Sequence, residues 1–173
     1  LTWWVALIAG AFGLLGALCG AQLQAWNARK DRAEQQQFEK QQRDLTVRRE
    51  LYAEFARIAD ESADVLMRIY HTSQWLVGLD KDDELRPELE EDAKEARDNF
   101  DEMILTLKTI RWQIELVAPA NVIASVAAIH NTFSESELMK NPDDYDYLVK
   151  AIRQFVKQGR IDLGHPPNED FRV

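Results

Sequence analysis

The sequence predicts an all-α protein: an N-terminal transmembrane helix that continues through a helical stalk into an antiparallel helical bundle of about four helices. Three observations predict it. Residues 1–27 contain no charged side chain and are dominated by Leu, Ile, Val, Ala, Gly and Phe, a run long enough to cross a bilayer as one helix of roughly 20 residues. Gly10, Gly13, Gly16 and Gly20 lie in that run, which leaves Gly78, Gly159 and Gly164 for the rest of the chain; a sheet with tight turns consumes more glycine than that. Beyond the run, apolar residues recur at spacings of three and four, as on helices with one buried face.

Charge and cysteine content narrow the function classes. The chain carries 30 acidic and 21 basic residues, a net charge of −9. That balance argues against non-specific nucleic-acid binding, which needs a basic footprint. A single cysteine, Cys19, excludes an intrachain disulfide framework. Inside the apolar run it reads as a small packing residue, and Leu18 before it argues against a lipid-attachment site.

The predicted transmembrane helix covers residues 1–26. Trp3 and Trp4 at one end and Trp26 at the other suit the two interfacial belts, and Arg29, Lys30 and Arg32 follow at once. The positive-inside rule then places the protein in the inner (cytoplasmic) membrane, single-pass, with the N-terminus outside and the C-terminal domain in the cytoplasm. A cleaved signal peptide would have a basic start and a shorter apolar core; this run starts neutral and is long. Gly13, Gly16 and Gly20 fall on one helical face with Ala6, Ala9 and Ala17 near them. Such a stripe lets helix backbones approach closely in lipid, so it is the expected surface for self-association or for docking on another membrane helix.

Residues 27–44 form the predicted charged stalk. They are rich in Gln, Arg, Lys and Glu and contain neither Gly nor Pro, so the helix has no reason to stop. Phe38, Leu45, Tyr52, Ala59 and Leu66 are spaced by seven, a coiled-coil hint weakened by polar companion positions. The basic residues beside the span are placed to meet anionic headgroups.

The predicted bundle occupies residues 45–165, followed by a flexible tail at 166–173. A first helix carries Leu51, Tyr52, Phe55, Ile58, Ala59, Val65, Leu66, Ile69, Tyr70 and Leu76 inward, with Gly78 as its expected stop. Pro87 opens a second helix to Val117, whose core face is Leu89, Ala93, Ala96, Phe100, Met103, Ile104, Leu107, Ile110, Ile114 and Val117. Its first half is strongly acidic, and Glu91, Asp92, Glu95 and Asp98 are the candidate partner surface, although negative charge near a helix N-terminus also has a structural cause. Pro119 starts a third helix buried through Val122, Ile123, Val126, Ile129 and Phe133; carrying little charge, it is expected to sit deepest or to cover a partner site. Asn141-Pro142-Asp143-Asp144 reads as a cap, a first-turn proline and an acidic first turn. The fourth helix turns Tyr147 or Leu148, Ala151, Ile152, Phe155 and Val156 inward and ends at Gly159 or Gly164.

Three short segments carry a resemblance: Arg48-Arg49-Glu50-Leu51-Tyr52-Ala53-Glu54-Phe55, the joint Val117-Ala118-Pro119-Ala120-Asn121-Val122, and Arg160-Ile161-Asp162-Leu163-Gly164. On these the chain resembles a diffuse group of small bacterial proteins, frequent in actinobacteria, with an N-terminal span, a charged helical stalk and a cytoplasmic helical bundle. The resemblance implies the architecture and a bacterial setting; it implies no activity and no catalytic residues.

Catalytic and cofactor motifs do not emerge. A di-iron bundle needs Glu-x-x-His on two helices, but the residues three before His71, His130 and His165 are Arg68, Ala127 and Asp162. The acidic stretch 80–84 lacks the glycine a calcium loop needs at its sixth position, where Leu85 stands. Residues 27–173 hold no glycine-rich phosphate loop and no serine elbow. Arg48, Arg49, Glu50 and Glu54 have the spacing of intrahelical pairs. No catalytic, cofactor-binding or metal residue is therefore assigned, and no enzyme is expected. The expected function is a membrane-tethered interaction or scaffold module. Its expected partners are the lipid bilayer and a second copy or a partner membrane protein, with no nucleic acid and no small-molecule substrate. The alternative is a small membrane effector of toxin or phage-defence type, acting through oligomerised transmembrane helices.

Overall fold

The computed structural model describes residues 3–80, 82–135 and 143–165; side chains at 3–21, 23, 25, 27, 33, 134, 135, 143 and 144 lie outside that description. Among the described residues four helices follow one another: α1 (Trp3–Gly78), α2 (Arg86–Val117), α3 (Ala120–Glu135) and α4 (Asp143–Asp162). The described residues contain no strand. The all-α class and the count of four are as the sequence predicts. The chain divides into two units, Leu1–Asp44 and Leu45–Val173.

The first unit is helical from Trp3 onward. Its described side chains, from Gln22 to Asp44, are exposed. Local pairs one turn apart hold them: Lys30 with Glu34 at 3.8 Å, and Gln35 donating to Glu39 at 3.0 Å. Such exposed pairs are worth a few tenths of a kcal/mol each. Among the described residues no helix is long and apolar enough to cross a membrane. The predicted span falls mostly on residues whose side chains lie outside the description, as does the surrounding of Gly13, Gly16 and Gly20.

The second unit is an antiparallel four-helix bundle closed into a ring, α1–α2–α3–α4–α1. Each adjacent pair is marked by a contact. Arg68 meets Asp92 across α1 and α2 at 2.7 Å. Phe100 and Phe133 join α2 to α3 edge to face, with centroids 5.8 Å apart. Asn121 donates to Gln158 across α3 and α4 at 2.8 Å. Tyr52 and Phe55 both pack on Phe155, at 5.9 and 5.0 Å, which closes α4 onto α1. Further along that pair Arg48 meets Asp162 and Tyr145 reaches Asp64, so residue numbers rise on one helix as they fall on the other.

Most positions of the predicted stripes are buried, while Leu51, Leu76, Leu89, Met103, Ile104, Val117 and Ile123 are half-buried at their edges. Ala93, Ala96, Phe100, Leu107, Ile110 and Ile114 of α2 are buried, as are Val122, Val126, Ile129 and Phe133 of α3. The choice between Tyr147 and Leu148 resolves to Leu148, since Tyr147 is exposed. The heptad hint divides: Tyr52, Ala59 and Leu66 belong to the bundle core, whereas Phe38 and Leu45 are exposed. The low charge of α3 does not mean depth, because Ala120, Ala124 and Ala128 face solvent. Ser62 is fully buried and lies on the core side of α1; its hydroxyl donates to the Ile58 carbonyl at 2.7 Å, which removes the cost of burying it.

Helix ends follow the sequence with one correction. Pro87 sits in the first turn of α2, and Asp83 accepts the Leu85 amide at 3.0 Å in the preceding turn. Gly78 is the last residue of α1 but its φ is not positive. The left-handed glycine is Gly164, with φ +79°. There the His165 amide donates to the Arg160 carbonyl at 2.9 Å and the Gly164 amide to Ile161 at 3.0 Å, the paired bonds of a Schellman cap. The predicted cap at Asn141 and Pro142 and the tail 166–173 lie outside the described residues.

Phe55 is fully buried and packs on Phe155, so Phe55→Ala is expected to cost about 3–5 kcal/mol. The exposed Leu105→Ala is expected to change stability by no more than about 0.5 kcal/mol. Urea unfolding of the two variants checks this; equal losses would contradict the assigned core.

Candidate functional site

Two short segments far apart in the chain, residues 48–55 and 160–164, meet on the α1–α4 seam. One Nη of Arg48 lies 3.2 and 3.3 Å from the two carboxylate oxygens of Asp162. Tyr52 donates its hydroxyl to the same carboxylate at 2.8 Å. The Asp162 side chain is only 10% exposed and that of Arg48 30%. Both oxygens share one guanidinium nitrogen, and Arg48 Nε has no hydrogen-bond partner among the described residues, so the pair lacks the two-pronged geometry of the strongest arginine–carboxylate contacts. Tyr52 supplies the short bond.

Asp162 sits in the last turn of α4, where the helix dipole disfavours negative charge. A nearly buried carboxylate there is stable only with strong donors, and α1 provides both. The phenol in turn is held in its neutral form. Burial, followed by the hydrogen bond and the charge of Asp162, raises its pKa well above the ordinary value of 10.0, partly opposed by Arg48. Gly159 makes room for this ring: a Cβ there would stand 3.0 Å from Tyr52 Cδ2. Arg48 therefore pairs with Asp162 on another helix, and not within its own helix as its spacing suggested.

Beside this clasp a groove of about 360 Å³ opens between α1 and α4. The ring of Tyr52 with Phe155, Val156 and Leu163 makes its apolar floor, and Arg49, Arg160 and His165 line the remainder. Among the described residues no aspartate or glutamate lines it. Asp162, two residues after Arg160 and one before Leu163, gives its carboxylate to Arg48 and Tyr52 instead.

The sequence-predicted partner surface is differently occupied from residue to residue. Asp92 is paired with Arg68, whereas Glu91, Glu95 and Asp98 are exposed. The structure adds an apolar half that the acidic composition concealed. Asp98, Glu102, Leu105, Thr109, Trp112 and Leu116 are all exposed and succeed one another at alternating steps of four and three on the side of α2 opposite its core face. Leu105, Trp112 and Leu116 are 65, 64 and 85% exposed. Thr109 returns its hydroxyl to the Leu105 carbonyl at 3.0 Å, so this seam is apolar over its last three turns. A second period on the same helix was the available signal.

The remaining candidates are isolated. Trp26, Arg29 and Lys30 are exposed, and Trp3 and Trp4 lie among the side chains outside the description. His71 stacks edge-on against Tyr70. The pKa of His130 is lowered by burial and by the cations Arg111 and Lys108. Among the described residues no group of three or more His, Cys, Asp or Glu side chains comes together to hold a metal. The chain matches no protein-family model, no curated protein and no solved structure.

The clasp has a pH signature. A folded-state pKa raised above the unfolded value gives stability that is complete below the unfolded pKa and is lost as pH rises towards the folded one. Tyr52 therefore contributes a fall in stability that begins near its ordinary value of 10.0 and continues above it, with Tyr145 shifted in the same direction. Tyr52→Phe is expected to lower stability at neutral pH and to flatten that alkaline decline. Urea unfolding from pH 7 to 11 checks it; an unchanged slope in the variant would contradict the assignment.

Proposed function

We propose that this chain is a non-enzymatic, membrane-tethered helical interaction module. The observation that carries the reading is the outer face of α2, where Leu105, Trp112 and Leu116 lie exposed in line with Asp98 and Glu102. Large apolar side chains gathered on one helical seam are costly to leave in water and are the usual anchors of helix-in-groove or helix–helix recognition. The acidic first half of the seam favours a partner with basic residues at the matching end. Glu91 and Asp98 thus belong to the proposed partner surface, while Asp92 serves the α1–α2 contact.

The tether rests on the sequence. Residues 1–27 are uncharged and Arg29 and Lys30 follow, which favours a single pass of a bacterial inner membrane with the bundle in the cytoplasm. Trp3, Trp4 and Trp26 would anchor the two interfaces. Gly13, Gly16 and Gly20 would admit the helix of a second copy or of a membrane partner. The likeness to small actinobacterial membrane proteins supports the same setting.

The test is crosslinking of the full chain in bilayers. Gly16→Ile with Gly20→Ile is expected to reduce the crosslinked fraction severalfold while the bundle keeps its unfolding midpoint. Unchanged crosslinking would remove the small-residue stripe from the account, and a wild-type chain that never crosslinks would remove self-association.

A further inference from the structure

We propose that the groove between α1 and α4 binds an anionic amphiphile, a phosphate or carboxylate head carried on an apolar tail. The site lies wholly within the bundle unit and does not depend on the tether. Its lining contradicts the composition of the chain. Acidic residues outnumber basic ones 30 to 21 overall, yet among the described residues the groove collects Arg49, Arg160 and His165 and no carboxylate. The nearest acid along α4, Asp162, is withdrawn from the groove by Arg48 and Tyr52. The clasp thereby leaves the groove cationic.

The floor selects the second half of the ligand. Tyr52 has its hydroxyl committed to Asp162, so it offers the groove a ring face. Phe155, Val156 and Leu163 continue the apolar surface, and the absence of a side chain at Gly159 keeps it open. A volume of about 360 Å³ is at the small end of ligand pockets, which run from roughly 300 to 1,000 Å³. That suits a head group with a short length of chain. The C-terminal end of α4 opposes an anion with about half a negative charge. The exposed Arg49 guanidinium opposes it, and the terminal carbonyls of Arg160 and Ile161 are already capped. Arg160 has interactions of its own, so Arg49 is the cation to remove. It is exposed and forms no ion pair among the described residues, and its loss leaves the core intact.

The probe is octyl phosphate, titrated into the full chain in zwitterionic nanodiscs and read by hydrogen exchange over residues 49–56 and 156–165. Saturable protection of both segments is expected, with at least tenfold weaker apparent affinity in Arg49→Gln. Octanol and inorganic phosphate, each holding half of the chemistry, are expected to protect far less. Discs containing phosphatidic acid identify the source. Protection there without octyl phosphate assigns a lipid head, and protection by octyl phosphate alone assigns a soluble ligand. Absence of protection in both arms overturns the proposal, as does equal protection of wild type and Arg49→Gln.

Discussion

The Asp162 carboxylate is the constraint around which the bundle is arranged. A carboxylate taken almost wholly out of water costs several kcal/mol unless donors replace the lost hydration, and its place in the last turn of α4 adds an unfavourable helix dipole. Arg48 and Tyr52 answer both costs from a helix more than a hundred residues earlier in the chain. This is what makes the return of α4 to α1 specific. Apolar burial alone would tolerate a slide of one helix along the other, whereas a buried charge with fixed partners does not.

Neighbouring residues serve the same contact. The Schellman cap at Gly164 ends α4 just beyond Asp162 and leaves its carbonyls satisfied. Gly159 admits the Tyr52 ring, and Phe155 stacks edge-on against both Tyr52 and Phe55. The groove is a by-product of this geometry. Its ring-faced wall exists because the Tyr52 hydroxyl is committed elsewhere, and its cationic lining persists because Asp162 points away from it.

What was legible in the sequence was whatever depends on short spacing. The apolar stripes of α2 and α3 locate their buried faces, with Leu89, Met103, Ile104, Val117 and Ile123 half-buried at the margins, and Pro87 marks the start of α2. The clasp was not legible, because local spacing nominates Glu50 and Glu54 as partners for the arginine pair and carries no information about a carboxylate 114 positions away. Gly78 and Gly164 each follow a helical stripe, but only the latter adopts the left-handed conformation for which glycine is needed. Charge content misled twice. Few charges on α3 reflected exposed alanines rather than depth, and the acidic first half of α2 hid the apolar seam through Leu105, Trp112 and Leu116.

The most direct test of the clasp is a double-mutant cycle on Tyr52→Phe and Asp162→Asn, read by equilibrium urea unfolding at neutral pH. A hydrogen bond to a charged acceptor is worth about 1.5–3 kcal/mol, and contacting residues show coupling of about 0.5–3 kcal/mol in such cycles. The account requires a coupling energy of at least about 1 kcal/mol, with the double variant less destabilised than the sum of the single ones. Strict additivity of the two substitutions would contradict it.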